Sequence, residues 1–376
     1  MSAFAVRGWC PDAWRPMLAG DGLLVRMRPR LGRLTREQAL GLCAAALAYG
    51  NGAIDLTSRG NLQLRGITER RWQGLIDQLI ALDLIDADPG LEARTAILVA
   101  PDWRAGDDTQ RIAAALLARR GDWPDLPGKI GVTIDAGPAP VLLADPGDFR
   151  IERGMSGGLI LRADGHAEGV ALAAGTEVDQ LIELGRWYVA SGGREAGRMA
   201  RHRAPLPGWA TPGEAPAPAA AAWQPGRHPL GSVLGAPFGR VDAAALAACL
   251  EASAATALRI TPWRLLILEG ATIDTAAGFV ADPHAPAITA DACVGAPSCP
   301  QGSVTTRDLA LRLAPHIDGR LHVSGCAKGC ARSRPADVVL VGRDGRFDLV
   351  LAGRAGDPPS RTGLAADQLL ALFGTR

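Results

Sequence analysis

Two stretches of this chain repeat one plan, and neither copy is large enough to fold alone. The first reads "LLVRMRPRLGRLTREQALGLCAAALAYGNGAIDLTSRGNLQLRGI" and the second "GSVLGAPFGRVDAAALAACLEASAATALRITPWRLLILEGA". In each, an apolar strand reaches a Gly-Arg pair, Gly32-Arg33 or Gly239-Arg240, and an Ala/Leu-rich helix follows. A strand then ends on Leu56-Thr57 or Ile260-Thr261, and another apolar strand comes after it. Thr35 and Gln38 stand in capping-box positions before the first helix, and Asp242 is an N-cap candidate before the second. A β-α-β-β unit of this size leaves one sheet face uncovered, so the two copies are expected to pair across a pseudo-twofold axis.

Between the copies, Ala204 to Gly226 reads "APLPGWATPGEAPAPAAAAWQPG", where proline, alanine and glycine replace apolar periodicity; a semi-rigid or disordered connector is expected there. The organisation is then 1–70 for the first repeat, 71–203 for a longer mixed segment, 204–226 for the linker, 227–275 for the second repeat and 276–376 for a second mixed segment. The first mixed segment contains "TEVDQLIELGRWYVASGG", a helix with Thr176 and Asp179 in capping-box positions. The second ends in "DVVLVGRDGRFDLVLAG", where Asp344-Gly345 between alternating apolar residues signals a hairpin. The fold class is α+β with a duplicated plan.

Composition narrows the function. The 376 residues can bury two or more cores, and 40 Lys and Arg against 39 Asp and Glu leave a net charge of +1, which supplies no bulk field for nucleic acid or an acidic membrane. The N-terminus shows no basic region followed by an apolar core, and no stretch reaches the length of an apolar span, so a cytoplasmic protein with no membrane partner is expected. Neither a G-x-G-x-x-G after a strand nor a P-loop is present, so no nicotinamide or nucleoside triphosphate site is supported.

Seven cysteines, an odd number in a long chain, argue against a disulfide framework and for free thiols. Cys43 and Cys249 fall at nearly the same point of the two repeated helices and read as small buried hydrophobes; Cys10, in a Pro/Trp-rich loop, reads as structural. The other four form C-x5-C, Cys293 and Cys299, and C-x3-C, Cys326 and Cys330. Such a quartet can hold zinc or an iron–sulfur cluster. Structural zinc usually takes C-x2-C or C-x4-C knuckles, so the spacing favours a 4Fe-4S cluster wrapped by glycine-rich loops, with Gly295, Gly302, Gly325 and Gly329 supplying the freedom. Ser303 is expected to cap the helix "VTTRDLALRLA", and the strand "RLHV" to deliver Cys326 and Cys330.

"ACVGAPSCPQG" followed by "HVSGCAKGCA" resembles the paired cysteine motifs of the sulfite and nitrite reductase superfamily, and "TSRGNLQLRGI" and "TPWRLLILEG" resemble its ferredoxin-like half-domains. Nearly the whole chain is covered. The resemblance implies duplicated ferredoxin-like half-domains plus two sulfite/nitrite-reductase-type α/β core domains, with Cys293, Cys299, Cys326 and Cys330 ligating the cluster. It also implies Arg26, Arg28, Arg59, Lys129 and Arg264, with Asn61 as a secondary candidate, around the carboxylates of a tetrapyrrole.

Within the superfamily, "RGWCPDAWRPMLAGDGLLVRMRP" and "VSGCAKGCARSRPADVVLVGRDGRFDLVLAGRAGDPP" are most similar to the precorrin-3B synthase family of aerobic cobalamin biosynthesis. That similarity implies a monooxygenase acting on precorrin-3A with dioxygen, a separate electron-donating reductase, and a mononuclear non-haem iron. The six histidines offer no spacing that places such an iron. The alternatives are a sirohaem-dependent sulfite or nitrite reductase, in which Cys330 would bridge cluster and haem, and an iron–sulfur electron carrier. The reductases' Leu-Pro-Arg-Lys-Phe-Lys segment is here "LPGKIG": Lys129 remains, but Gly128 and Gly131 replace two cations that reduction of a small anion needs. Arg-rich strands disfavour a simple carrier.

Overall fold

The protein is seen in a computed structural model, which describes residues 10–94 and 96–374; residues 1–9, on which the reading of the N-terminus partly rests, lie outside the described residues. The first repeat supplies β1 (Met17–Ala19), β2 (Gly22–Met27), β3 (Arg33–Thr35), β4 (Ala53–Leu56) and β5 (Leu62–Ile67). The helix Arg36–Tyr49 lies between β3 and β4. A capping box closes its start: the Thr35 hydroxyl accepts from Gln38 N at 3.2 Å and Gln38 Oε1 accepts from Thr35 N at 2.9 Å.

The apolar strand does not run into the Gly-Arg pair. It stops at Met27, and the chain turns through Leu31 and Gly32, both at positive φ (52° and 67°), to launch the three-residue strand β3. The second repeat does the same. Phe238 and Gly239 (φ 59° and 72°) turn the chain from β12 (Gly231–Gly235), which follows β11 (Gly226–His228), into β13 (Arg240–Asp242). After the helix Ala243–Glu251, capped by Asp242 accepting from Ala245 N at 2.9 Å, come β14 (Ala257–Ile260) and β15 (Leu265–Glu269).

The short strands are exchanged. The first sheet runs β1-β2-β5-β4-β13 and the second β11-β12-β15-β14-β3, so each half completes the other's sheet. Val241 lies opposite Ile54, and Leu34 opposite Leu258. One apolar core spans both halves, with Leu34, Leu42, Ile54 and Leu64 packed in the same cluster as Leu234, Val241, Leu246 and Leu258. Each such fully buried side chain contributes about 1.5–3 kcal/mol, which is how two undersized units become one stable body.

Two further sheets share a second layout. β6 (Ala96–Val99), β7 (Gly131–Asp135) and β8 (Phe149–Arg153) are parallel, and β9 (Leu159–Ala163) and β10 (Val170–Leu172) follow antiparallel. β16 (Ala290–Ala292), β17 (Leu321–Ser324) and β18 (Ala336–Arg343) are parallel, with β19 (Arg346–Gly353) and β20 (Arg361–Leu364) antiparallel. Asp344 and Gly345, at φ 50° and 77°, make the expected hairpin turn between β18 and β19. The architecture is α+β, with both the half-domains and the cores duplicated.

Two expected caps do not form. Thr176 has helical backbone (φ −97°, ψ −2°), its hydroxyl donates to Ala173 O at 2.8 Å, and Asp179 is bound by Arg119 instead. Ser303 does not cap a helix: its N–H donates to Gly325 O at 3.1 Å, and the helix starts later, spanning Arg307–Leu313. The segment 204–226 is tied down in part, since Met155 N donates to Ala215 O (3.0 Å) and Ala217 N to Arg153 O (2.8 Å).

The two crossing turns differ in how tightly they are packed. A Cβ on Gly239 would meet Leu56 O at 2.9 Å, whereas on Gly32 it would meet Ile260 O at 3.5 Å. Gly32→Ala should therefore cost about 1 kcal/mol, from the left-handed backbone alone, and Gly239→Ala about 1–2 kcal/mol more, as read from urea unfolding. Equal costs would contradict this account of the exchange.

Candidate functional site

Parallel pairing of β16 with β17 brings the two cysteine pairs together at the carboxyl ends of adjacent strands, where open α/β sheets bind ligands. Ala292 lies opposite Val323, and Cys293 follows directly: its N–H donates to Val323 O at 3.3 Å, and its Sγ accepts from Gly325 N at 3.1 Å. The five-residue loop folds back on itself, with Cys299 N donating to Gly295 O at 2.8 Å and Ala296 N to Val304 O at 2.8 Å. A Cβ on Gly325 would lie 3.2 Å from Gly295 Cα, 3.3 Å from Gly302 Cα and 3.5 Å from Cys293 Sγ, so the two loops meet glycine to glycine.

Burial pushes the Cys330 thiol up, and Cys293, Cys326 and Cys299 act in the same direction while Lys328 opposes them. The Cys330 residue is nonetheless exposed at the surface, and the two pairs stand at the ends of adjacent strands. Among the described residues, however, no three His, Cys, Asp or Glu side chains stand close enough together to hold a single metal ion. A cubane takes one thiolate at each iron corner, so its ligands surround a volume rather than converge on a point. The glycine-lined cradle and the all-thiol donor set suit that arrangement. That holds for a mononuclear iron as well, among the described residues.

Each cysteine loop is held by an arginine of a different half-domain. Ser298 O, beside Cys299, accepts from Gly20 N and from Arg65 Nη2, both at 3.1 Å; Arg65 is itself paired with Asp21 at 3.0 Å. Ala331 O, beside Cys330, accepts from Arg264 Nη2 at 2.8 Å. Arg264 also pairs with the buried Asp291 at 2.6 Å, which faces Arg320 at 3.2 Å and Arg332 at 3.4 Å as well. His322, buried between these groups, has no partner on either ring nitrogen and is held down to about 4 by burial, so it is neutral at ordinary pH.

The basic residues gather elsewhere. Arg26, on β2, donates through Nε and Nη2 to Gln63 Oε1 at 3.0 and 2.7 Å. Burial lowers its pKa, Cys10 raises it, and Arg28 and Arg59 lower it further. Cys10 is thus a neighbour of the guanidinium cluster. Arg28 donates to Glu92 O at 2.9 Å, and its Nε is buried without a partner. Arg59 donates to Lys129 O at 3.5 Å, and Lys129's own side chain is exposed. Arg198, which sequence reasoning missed, donates to the same carbonyl at 2.5 Å, pairs with the buried Asp148 at 3.2 Å and lines one small cleft with Arg59 and Asn61. Nothing in "GREAGRMARHR" marked it out from its neighbours. Arg26, Arg28, Arg59, Asn61 and Arg198 therefore come together, while Arg264 stands with the cysteine loop.

The reason lies in the repeat. Thr57 Oγ1 accepts from Arg59 N and Asn61 N (3.3 and 3.1 Å), and Thr261 Oγ1 accepts from Trp263 N and Leu265 N (3.2 and 3.1 Å). The same turn thus pairs Arg59 with Trp263, and Gly60 (φ 63°) with Arg264 (φ 62°). Arg264 occupies a left-handed position that its counterpart fills with glycine, and its bonds to Asp291 and Ala331 hold it there.

Asp291→Asn should leave three guanidiniums facing a neutral amide. A loss of about 2 kcal/mol in urea unfolding is expected, discounted because the arginines keep contact with water. An unchanged midpoint would show that the hub is not a brace.

Comparison with known proteins agrees with the fold. Residues 15–82 match the family description "Nitrite/Sulfite reductase ferredoxin-like half domain". A protein named precorrin-3B synthase from a Sinorhizobium species is 35% identical, covering 94% of this chain and 84% of its own length. A ferredoxin–nitrite reductase from Synechococcus elongatus is 23% identical, over 96% and 86%. The solved structure of the Mycobacterium tuberculosis NirA protein superposes with a TM-score of 0.63 at 19% identity, covering 92% of this chain and 78% of that one, a likeness of fold. By the identity and coverage of the first of these relatives, the chain belongs to the precorrin-3B synthase family, within the nitrite and sulfite reductase superfamily.

Proposed function

We propose that this protein hydroxylates precorrin-3A with dioxygen and closes a lactone, as a precorrin-3B synthase of aerobic cobalamin biosynthesis, with a 4Fe-4S cluster on Cys293, Cys299, Cys326 and Cys330. The observation that carries this reading is the pairing of two features in a member of that family: two cysteine pairs brought to the ends of adjacent parallel strands, and a half-buried cluster of arginines on the half-domain beside them. Like charges crowded away from water are costly, and a ligand bearing many carboxylates offsets that cost.

Arg59 and Arg198, steadied on Lys129 O, grip one carboxylate-bearing arm of the macrocycle, with Asn61 donating from the same cleft. Arg26 and Arg28 serve other arms from β2. Their burial keeps water from competing for the guanidinium forks. When bound, the cluster supplies one-electron transfer. One atom of dioxygen enters the substrate and the other leaves as water, with two electrons from a separate reductase and two protons. A substrate acetate then closes the lactone, and the guanidiniums hold that acetate in reach. The "LPGKIG" segment supports this reading over anion reduction, since Gly128 is exposed, Gly131 opens β7, and the Lys129 carbonyl serves arginines.

Two variants separate the roles. Cys330→Ser should remove the iron–sulfur signal and substrate-dependent oxygen uptake together. Arg59→Ala should keep the signal while raising the precorrin-3A concentration needed for half-maximal oxygen uptake about tenfold or more, the loss of one bidentate charged contact. Full oxygen uptake by the Cys330 variant, or unchanged binding by the Arg59 variant, would refute the role assigned to that residue.

A further inference from the structure

Arg307 opens the short helix that follows the C-x5-C loop, and most of its guanidinium has no acceptor. Nε and Nη1 are buried without a partner, and only Nη2 reaches Asp55, at 3.4 Å. Asp55 itself lies in register opposite Arg240, a second cation across the exchanged strand pair. The neighbouring Thr306 hydroxyl donates to Cys293 O at 2.5 Å, which fastens the start of the helix to the first cysteine. The titratable groups acting on Arg307 are Asp55, Arg240 and Cys293, and burial lowers its pKa. A guanidinium with two buried, unmet N–H donors is costly unless an anion stands near it, and Arg307 follows directly on the residue whose hydroxyl is bonded to Cys293 O.

We infer that Arg307 is a positioning residue for the cysteine-held group: placed next to Thr306, whose hydroxyl is bonded to Cys293 O, its guanidinium keeps a fixed positive charge beside the first cysteine and raises the reduction potential of that group. The inference rests on the cluster reading above. Reduction adds one electron from the external donor, transfers no proton, and makes the cluster with its thiolates one unit more negative. A fixed positive charge nearby stabilises the reduced state more than the oxidised one.

The test is an EPR-monitored redox titration of the anaerobically purified full-length protein, with iron and sulfide assays, for wild type, Arg307→Met and Arg307→Lys. The inference predicts a loaded Met variant with a lower potential and a Lys variant restored toward wild type. A Met variant that fails to load while the Lys variant loads also supports it, because charge is then the missing element. A loaded Met variant with an unchanged potential overturns it, as does failure of both variants to load, which would make Arg307 a shape requirement. A wild-type protein that takes up no cluster would instead refute the cluster reading itself.

Discussion

The reciprocal exchange of β3 and β13 is the contact on which the rest of the molecule depends. Neither half-domain covers its own sheet, and each completes the other through three residues, so the two cannot be separated without exposing the shared core around Leu34, Val241, Ile54 and Leu258. That rigid pair presents Arg65 on one side and Arg264 on the other, and these hold the carbonyls beside Cys299 and Cys330. The cysteine geometry is thus set by the half-domains as much as by the sheet that carries the thiols. A salt-bridged chain from Arg33 through Glu269 to Arg259, which also grips Pro101 O and Trp103 O, ties the first core sheet to the same body.

Function follows from where the two copies stop matching. Both repeats build the same threonine-locked turn, but one places a guanidinium at Arg59 and the other an indole at Trp263, whose N–H goes to Asp145. Both cores build three parallel strands and two antiparallel ones, but only the second has cysteines at its strand ends. The result is a cluster of arginines around one turn and two cysteine pairs at one set of strand ends, in a frame whose backbone is nearly symmetric.

Much of this was legible in the sequence because the signals were local. The Thr35 box, the Asp242 cap and the Asp344-Gly345 hairpin are set by neighbours within a few residues, and all form. The cysteine pairs stood out by spacing, and parallel pairing then placed them side by side. The exchanged strands were hidden, since three residues carry no periodicity and their partners lie some two hundred positions away. Ser303 and Thr176 looked like caps, but Gly325 O and Ala173 O drew them into other bonds. The one-residue offset between Arg59 in "TSRGN" and Arg264 in "TPWRL" is set by the threonine-locked turns, and Arg198 and Asp291 gain meaning only from tertiary contacts.

Four cysteines that hold a reducible cluster, in a protein whose tetrapyrrole is substrate and not prosthetic group, would leave a different optical signature from a sirohaem enzyme. The most direct measurement is the visible absorption of the anaerobically purified protein, with low-temperature EPR before and after dithionite. The account predicts a reducible 4Fe-4S signal and no haem-type Soret band. A strong sirohaem band coupled to the cluster would contradict it and make the protein a sulfite or nitrite reductase, with Cys330 as the bridging ligand.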